Sequence, residues 1–274
     1  MKKKKLIGKV LGFFVLIASI LHVYPIFLVV LSSLKSRADL AKNPFGLPKE
    51  WAFENYMQAF DKMNYFQSFA NSVIVVLITI VPLIIFSSMA AYAIVRKGGK
   101  YNWLYMVFVF GLIVPYQMIM IPLYQTVKNI GLLDSHVGLA VVYLALFAPF
   151  SVFLFTGFIK SVPLELEEAA YIDGCGTYRT FFLIVFPLLK PGIATIAVLN
   201  IFNIWNDFLQ PMMFLSTRSK NTLVVQIYQF VGQYTNNWPL IFSSICIIVV
   251  PIFVVYVFAQ KYIIGGITAG AVKG

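Results

Sequence analysis

A short acidic segment at residues 168–174, with the sequence EAAYIDG, is the part of this chain whose residue types most directly indicate chemistry. The segments on either side of it are apolar, and each is long enough to cross a membrane as a helix. Because a bilayer offers no hydrogen-bonding partners to carboxylates or to the backbone of a turn, the acidic segment is expected to lie in water. Carboxylates placed there can pair with basic groups of a soluble protein, so the segment is predicted to be a docking element.

A second polar cluster lies inside an apolar segment further along the chain and consists of Asn200, Asn203, Asn206 and Asp207. Residues 200, 203 and 207 share one face of a helix, because side chains three and four positions apart project to the same side. Polar groups inside a bilayer tend to face the bundle interior or a cavity, where amides and a carboxylate can hydrogen-bond the hydroxyl groups of a solute. Asparagine also often holds neighbouring helices together, so both a path-lining and a packing role stay open.

The composition of the whole chain predicts a membrane protein. It is 60% hydrophobic and only 11% charged, with a mean hydropathy of +0.86, and a soluble domain of this length could not bury that much apolar surface. Helices are the expected way to cross a bilayer, because they satisfy their own backbone hydrogen bonds. We therefore predict an all-α membrane protein with six transmembrane helices, at 6–31, 72–95, 103–127, 137–159, 191–215 and 240–262.

The net charge of +11 is interpreted as an orientation signal rather than as a nucleic-acid footprint. The lysine cluster at 2–5 and the short basic loop at 96–100 are expected on the cytoplasmic side, which predicts that both termini are cytoplasmic. Cys175 and Cys246 fall in a predicted cytoplasmic loop and a predicted membrane helix, so they form neither a disulfide framework nor a metal-ligand cluster.

The acidic segment belongs to a longer predicted cytoplasmic loop at 160–190. Pro163 is expected at the first position of a short helix, and the acids that follow it complement the positive end of the helix dipole. Gly174 is predicted to end this helix, and Thr177 to cap a second one that runs to Pro187. A short helix of this kind can sit in a groove on a partner, although a solvated connector remains the alternative.

This loop resembles the EAA loop of permease subunits in binding-protein-dependent ABC importers, through Glu168, Ala169, Ala170, Asp173, Gly174, Pro187 and Pro191. Three further stretches resemble the carbohydrate branch of that family: WNDFLQP at 205–211, SLK at 33–35 and ENY at 54–56. The tail GGITAGAVKG at 265–274 is similar to that of the maltose-type second permease. The main departure is Cys175, where the family often has alanine, and a small apolar residue there should not disturb docking.

The resemblance implies the type I ABC importer permease fold in a bacterial plasma membrane. It implies a first part at 1–66 (cytoplasmic tail, first helix and outer loop), a permease domain at 67–262 that contains the coupling loop 160–190, and a cytoplasmic tail at 263–274. The implied partners are a homologous second permease, a cytoplasmic ATPase dimer, an extracytoplasmic sugar-binding protein, a carbohydrate substrate and the lipid bilayer, with no nucleic acid.

The resemblance also assigns roles to residues. Glu168 would pair with a basic residue of the ATPase, Ala169 and Ala170 would allow close approach, and Gly174 would make the turn, with Asp173 completing the motif. Gly270 and Lys273 in the tail would contact the ATPase dimer. The chain would be a non-catalytic subunit without a metal or cofactor of its own, because ATP and Mg²⁺ would be used by the partner ATPase. The identity of the sugar is not readable from this chain.

Two other classes of protein are the alternatives to an importer permease. A self-powered secondary transporter often shows inverted repeats and intramembrane ionisable pairs, whereas Asp207 is the one clear acidic residue within a predicted span. A membrane enzyme would need converging nucleophiles or metal ligands, but the sequence holds two widely separated histidines and neither an H-E-x-x-H motif nor a phosphate-binding G-x-x-x-x-G-K-[ST] loop.

Overall fold

The computed structural model of the protein describes residues 2–232 and 236–271, and every regular element within those residues is helical, which confirms the all-α class. A π-helical turn, Phe181–Val185, lies between the short helices Thr177–Thr180 and Phe186–Leu188. The α-helices of the described residues are α1 Lys2–Ser33, α2 Arg37–Lys42, α3 Glu54–Lys62, α4 Tyr65–Lys97, α5 Asn102–Ile113, α6 Tyr116–Asn129, α7 His136–Lys160, α8 Glu165–Ile172, α9 Thr177–Thr180, α10 Phe186–Leu188, α11 Lys190–Asn206, α12 Leu209–Phe214, α13 Leu223–Gln226 and α14 Trp238–Ala271.

Four single helices of the described part are long and apolar enough to cross a membrane, and they contain the predicted spans 6–31, 72–95, 137–159 and 240–262. Two pairs of bent helices raise the number to six if each pair forms one span. The count of six therefore stays a prediction, as does the cytoplasmic placement of both termini.

The predicted span at 103–127 is not one continuous helix. α5 ends at Ile113 and α6 begins at Tyr116, and the two helices meet at an angle of 106°. Pro115 causes the break, because it lacks an N–H group and disfavours helical backbone at the residue before it. Val114 is accordingly extended, with φ −72° and ψ 115°.

The predicted span at 191–215 is also interrupted. α11 ends at Asn206, Asp207 is extended with φ −74° and ψ 133°, and α12 follows as a separate short helix. The carboxylate of Asp207 accepts a 3.0 Å hydrogen bond from the backbone N–H of Leu209, which offers the backbone an alternative to the helical pattern at this point. At its other end α11 meets the helical segment Thr177–Leu188 at 75°.

The chain divides into two compact units, one drawn from Met1–Tyr65 and Gln226–Pro251 and the other from Phe66–Val225 and Ile252–Gly274. The second unit contains the acidic segment 168–174 and the polar cluster of α11. Its described core joins α4, α7, α11 and the π-helical turn, and includes Tyr92, Val152, Phe155, Ile159, Phe181, Val185 and Ile196.

In the first unit, the SLK and ENY stretches bind each other. The side-chain amide of Asn55 donates to the carbonyls of Ser33 and Lys35, both at 2.9 Å, and the hydroxyls of Tyr56 and Ser33 are 2.7 Å apart. The ammonium group of Lys35, which is fully buried, donates to the carbonyl of Asn43 at 2.6 Å. The loop that follows α1 is therefore held in place by its own polar groups.

Candidate functional sites

The acidic segment forms the short helix α8, as predicted, but the helix starts later than expected. Its first residue is Glu165, and Leu164 is the N-cap, whose carbonyl accepts the N–H groups of Glu167 and Glu168 at 2.9 and 3.0 Å. Pro163 therefore lies outside the helix rather than at its first position.

The end of α8 is a Schellman turn centred on Gly174. The N–H of Gly174 donates to the carbonyl of Tyr171 at 3.0 Å, and the N–H of Cys175 donates to the carbonyl of Ala170 at 2.9 Å. Gly174 has φ +82°, a conformation that a residue with a Cβ adopts only with strain. The prediction that Gly174 ends this helix is confirmed. Thr177 is the first residue of α9 and not its cap, which is Gly176.

One side of α8 and of its C-terminal turn is exposed. We call it the docking face, after the role that the sequence predicts for this segment, and it consists of Glu168, Ala169, Tyr171, Ile172 and Asp173. The side chains of Ile172 and Tyr171 are 86% and 48% exposed, and neighbouring exposed apolar groups rimmed by carboxylates are typical of a surface that contacts a partner. Of the predicted coupling residues, Ala170 alone is buried, so it packs α8 against the protein.

Sequence reasoning missed the neighbouring acid, Glu167, whose side chain points inward and is only 3% exposed. One of its carboxylate oxygens accepts from the hydroxyl of Tyr92 at 2.6 Å, and the other pairs with Nε of Arg96 at 2.7 Å. We call Tyr92, Arg96 and Glu167 the Arg96 cluster. A signal was available, because Glu167 lies three positions before Ala170 and so shares its helical face. The basic loop at 96–100, which contains Arg96, indicates only orientation when the sequence is taken alone.

The polar cluster of α11 is divided by the structure. An open pocket of about 420 Å³ is lined by Phe147, Phe202, Asn203, Asn206, Asp207 and Gln210. The pocket thus combines amides, a carboxylate and two aromatic rings, which together can hydrogen-bond and stack on a solute that carries hydroxyl groups. The structure brings Asn203, Asn206 and Asp207 together at this pocket, and their role in a solute path stays a prediction.

Asn200 lies elsewhere. Its side chain is buried and donates to the carbonyl of Ile196 at 2.8 Å and to the hydroxyl of Ser151 on α7 at 3.4 Å. This geometry matches the helix-packing role that the sequence left open, since the amide bridges α11 and α7 and does not line the pocket.

The carboxylate of Asp207 already has several protein partners. It accepts from the hydroxyl of Tyr143 at 2.7 Å and from the N–H of Leu209 at 3.0 Å. With its amide oriented so that the nitrogen faces the carboxylate, Gln210 also donates to it at 3.0 Å. Asp207 is therefore the pocket residue most restricted by the protein, while the amides of Asn203 and Asn206 are exposed to the pocket.

The predicted tail residues are only partly described. Gly270 lies within α14, which continues to Ala271, and Lys273 lies outside the described residues.

Among the residues whose positions are described, no group of three or more His, Cys, Asp or Glu side chains could hold a metal ion.

A family model described as "Binding-protein-dependent transport system inner membrane component" matches residues 83–268, which include both α8 and α11. The chain belongs to this family. It is accordingly a multi-pass membrane protein and a permease subunit of the ABC importer class, as the EAA-type segment predicted.

Two curated relatives match this permease along almost its entire length. The probable starch degradation products transport system permease protein of Thermoanaerobacterium thermosulfurigenes is 35% identical over 274 residues, which cover 100% of both chains. The melibiose/raffinose/stachyose import permease protein of Bacillus subtilis is 36% identical over 255 residues, which cover 92% of each.

A solved structure has the same fold as the permease. It is the crystal structure of a bacterial ABC transporter involved in the import of the acidic polysaccharide alginate, and one of its chains matches with a TM-score of 0.81. The match covers 96% of this chain and 98% of that chain at 24% sequence identity. At that identity the similarity establishes the fold alone.

Proposed function

We propose that this permease is the membrane-spanning subunit of an ATP-driven, binding-protein-dependent carbohydrate importer, and that it forms half of the translocation path. The observation that carries the proposal is the docking face, an exposed surface of two carboxylates and a large apolar side chain on a helix tied to a membrane-spanning bundle. The transport of sugars by the two named relatives supports carbohydrate as the class of solute.

The docking face would seat α8 in a cleft of a cytoplasmic ATPase dimer. Glu168 would pair with a basic residue there, because its carboxylate points away from the permease. Ala169 would allow the two surfaces to approach closely, and the turn at Gly174 would set the direction of the chain that leaves the cleft. Gly270 and Lys273 would add a second contact through the tail.

Half of the path would be the pocket at the end of α11, and a homologous second permease would supply the other half. Asn203 and Asn206 would hydrogen-bond sugar hydroxyls, since their amides are exposed in the pocket. Asp207 would shape the pocket through its bond to Tyr143, and Asn200 would hold α11 against α7.

Energy would come from a separate subunit. ATP and Mg²⁺ would be bound by the partner ATPase, so the permease itself would need no cofactor and would be non-catalytic. An extracytoplasmic binding protein would deliver the sugar to the pocket.

The test is gentle detergent extraction of the tagged permease from its native membrane, followed by mass spectrometry and by uptake assays in liposomes. A second permease and an ATPase in the purified complex, together with sugar uptake that requires ATP, are the expected results. Uptake by the permease alone without ATP would overturn the proposal and favour the secondary-transporter class.

A further inference from the structure

Three helices of the second unit meet at one cation. Arg96 is in the last turn of α4, and its Nη2 donates to the carbonyl of Val162 at 2.8 Å and to that of Ile159 at 3.3 Å, where α7 ends. Its Nε forms the 2.7 Å ion pair with Glu167 on α8. A single guanidinium group therefore connects α4, the end of α7 and the helix that carries the docking face.

The connection is largely shielded from water. The side chain of Glu167 is 3% exposed and that of Arg96 17%, and the hydroxyl of Tyr92 occupies the second carboxylate oxygen at 2.6 Å. The ring of Tyr92 packs at 5.1 Å from that of Phe181, so the cluster continues into the apolar core.

We propose that the Arg96 cluster transmits movement of α8 to α4 and α7, with Arg96 and Glu167 as positioning residues for coupling. This inference rests on the proposed function. Apolar contacts alone let a short helix slide or rotate at little cost, whereas charge-assisted hydrogen bonds have a fixed direction. α8 cannot turn relative to α4 without separating a buried carboxylate from its partners, so a force on the docking face moves the membrane helices with it.

The test uses the complete transporter in proteoliposomes with its ATPase and its binding protein, and measures sugar uptake and ATP hydrolysis in the same sample. In Glu167→Gln the docking face is unchanged, so the ATPase should still co-purify and hydrolyse ATP. Uptake per ATP hydrolysed should fall about tenfold, a size typical of coupling between two sites. Arg96→Lys should have the same effect, since lysine cannot reach three acceptors in the geometry of a guanidinium group.

Two variants serve as matched controls. Glu165→Gln removes an exposed acid from the same helix, and Lys97→Ala removes an exposed cation adjacent to Arg96, and neither changes the cluster. Both should retain the wild-type ratio of uptake to hydrolysis. If Glu167→Gln does not accumulate in the membrane, Tyr92→Phe becomes the deciding variant, because it removes one hydroxyl and keeps the ion pair. The ratio of uptake to ATP hydrolysis is then expected to fall about threefold.

If Glu167→Gln retains the wild-type ratio of sugar uptake to ATP hydrolysis, the inference is wrong and the proposed function still stands. The same holds for Tyr92→Phe where that variant decides the test. Loss of the ATPase from the purified variant complex would also overturn it, since the cluster would then serve only to fold α8. If the unmodified transporter showed no ATP-dependent uptake, the proposed function would fail, and this inference with it.

Discussion

The hydroxyl of Tyr143, fully buried on α7, donates a 2.7 Å hydrogen bond to the carboxylate of Asp207, the residue that directly follows α11. The ring of Tyr143 is also stacked on that of Phe147 at 5.5 Å, and Phe147 lines the same pocket as Asp207. One side chain of α7 thus holds both a polar and an aromatic wall of the pocket in position.

Tyr143→Phe should keep the stacked ring but leave one oxygen of Asp207 without its donor. We expect a loss of about 2 kcal/mol in the free energy of unfolding, the usual size for a hydrogen bond to a charged group. Thermal unfolding of the purified protein in detergent measures it. Tyr116→Phe is the control, since the hydroxyl of Tyr116 donates to the sulfur of Met213 at 3.8 Å and, among the hydrogen bonds of the described residues, not to Asp207. Equal losses in both variants would contradict the importance of the Tyr143 bond.

Gly174→Ala should strain the turn that ends α8, because φ is +82° there. The free energy of unfolding should fall by roughly 1–2 kcal/mol. Gly174→Asp adds charge and bulk to the same turn and should abolish uptake while the protein still inserts into the membrane. Gly176→Ala is the matched control, since its backbone is extended with φ −75° and open space surrounds its Cβ position. Uptake assays measure the loss of transport, and membrane fractionation measures insertion. Normal uptake by Gly174→Asp would refute the coupling role of the turn.

Acidification should weaken the contact between the loop before α7 and the loop after α12. The ammonium group of Lys220 lies 2.8 Å from Oδ2 of Asp134. This ion pair, together with hydrogen bonds from Thr217, holds the pKa of Asp134 well below its usual range. A carboxylate with a lowered pKa in the folded state stabilises the protein above its unfolded pKa of about 3.9, and that stability is lost as the pH falls through the folded pKa. Asp134→Asn should therefore lower the thermal midpoint at pH 7, and its difference from wild type should shrink below about pH 4. A difference independent of pH would show that the charge of Asp134 contributes nothing.

Lys35→Met should loosen the loop that follows α1. Methionine fills the same buried space, but the bonds from the ammonium group to the carbonyls of Asn43 and Pro44, at 2.6 and 3.3 Å, are lost. We expect the free energy of unfolding to fall by about 2 kcal/mol, and proteolysis within residues 36–53 to be faster. Lys49→Met, at an exposed position in the same loop, should cleave at the wild-type rate. Unchanged proteolysis in Lys35→Met would mean that Asn55 and Tyr56 hold the loop without it.

Local properties of the chain were predictable from the sequence. Four of the predicted spans lie in single helices, because the length of an apolar run decides whether a helix can cross a bilayer. The short helix α8 and its turn at Gly174 were predictable as well, since a glycine with positive φ is the ordinary way to end a helix. The break at Asp207 was not predicted, whereas Pro115, inside the predicted span 103–127, indicates a kink at the first break.

The directions of side chains were decided only by the tertiary structure. Glu167 and Glu168 are neighbours of the same type, and their own segment shows only that Glu167 shares a helical face with Ala170, not that this face is the buried one. Glu167 faces inward because Arg96, 71 positions earlier in the chain, places a guanidinium group at that side of α8. Asn200 and Asn203 likewise differ in exposure because α7 covers one and leaves the other open to the pocket. A sequence carries the residue types and their periodicity, whereas burial and pairing depend on which distant segment packs against each face.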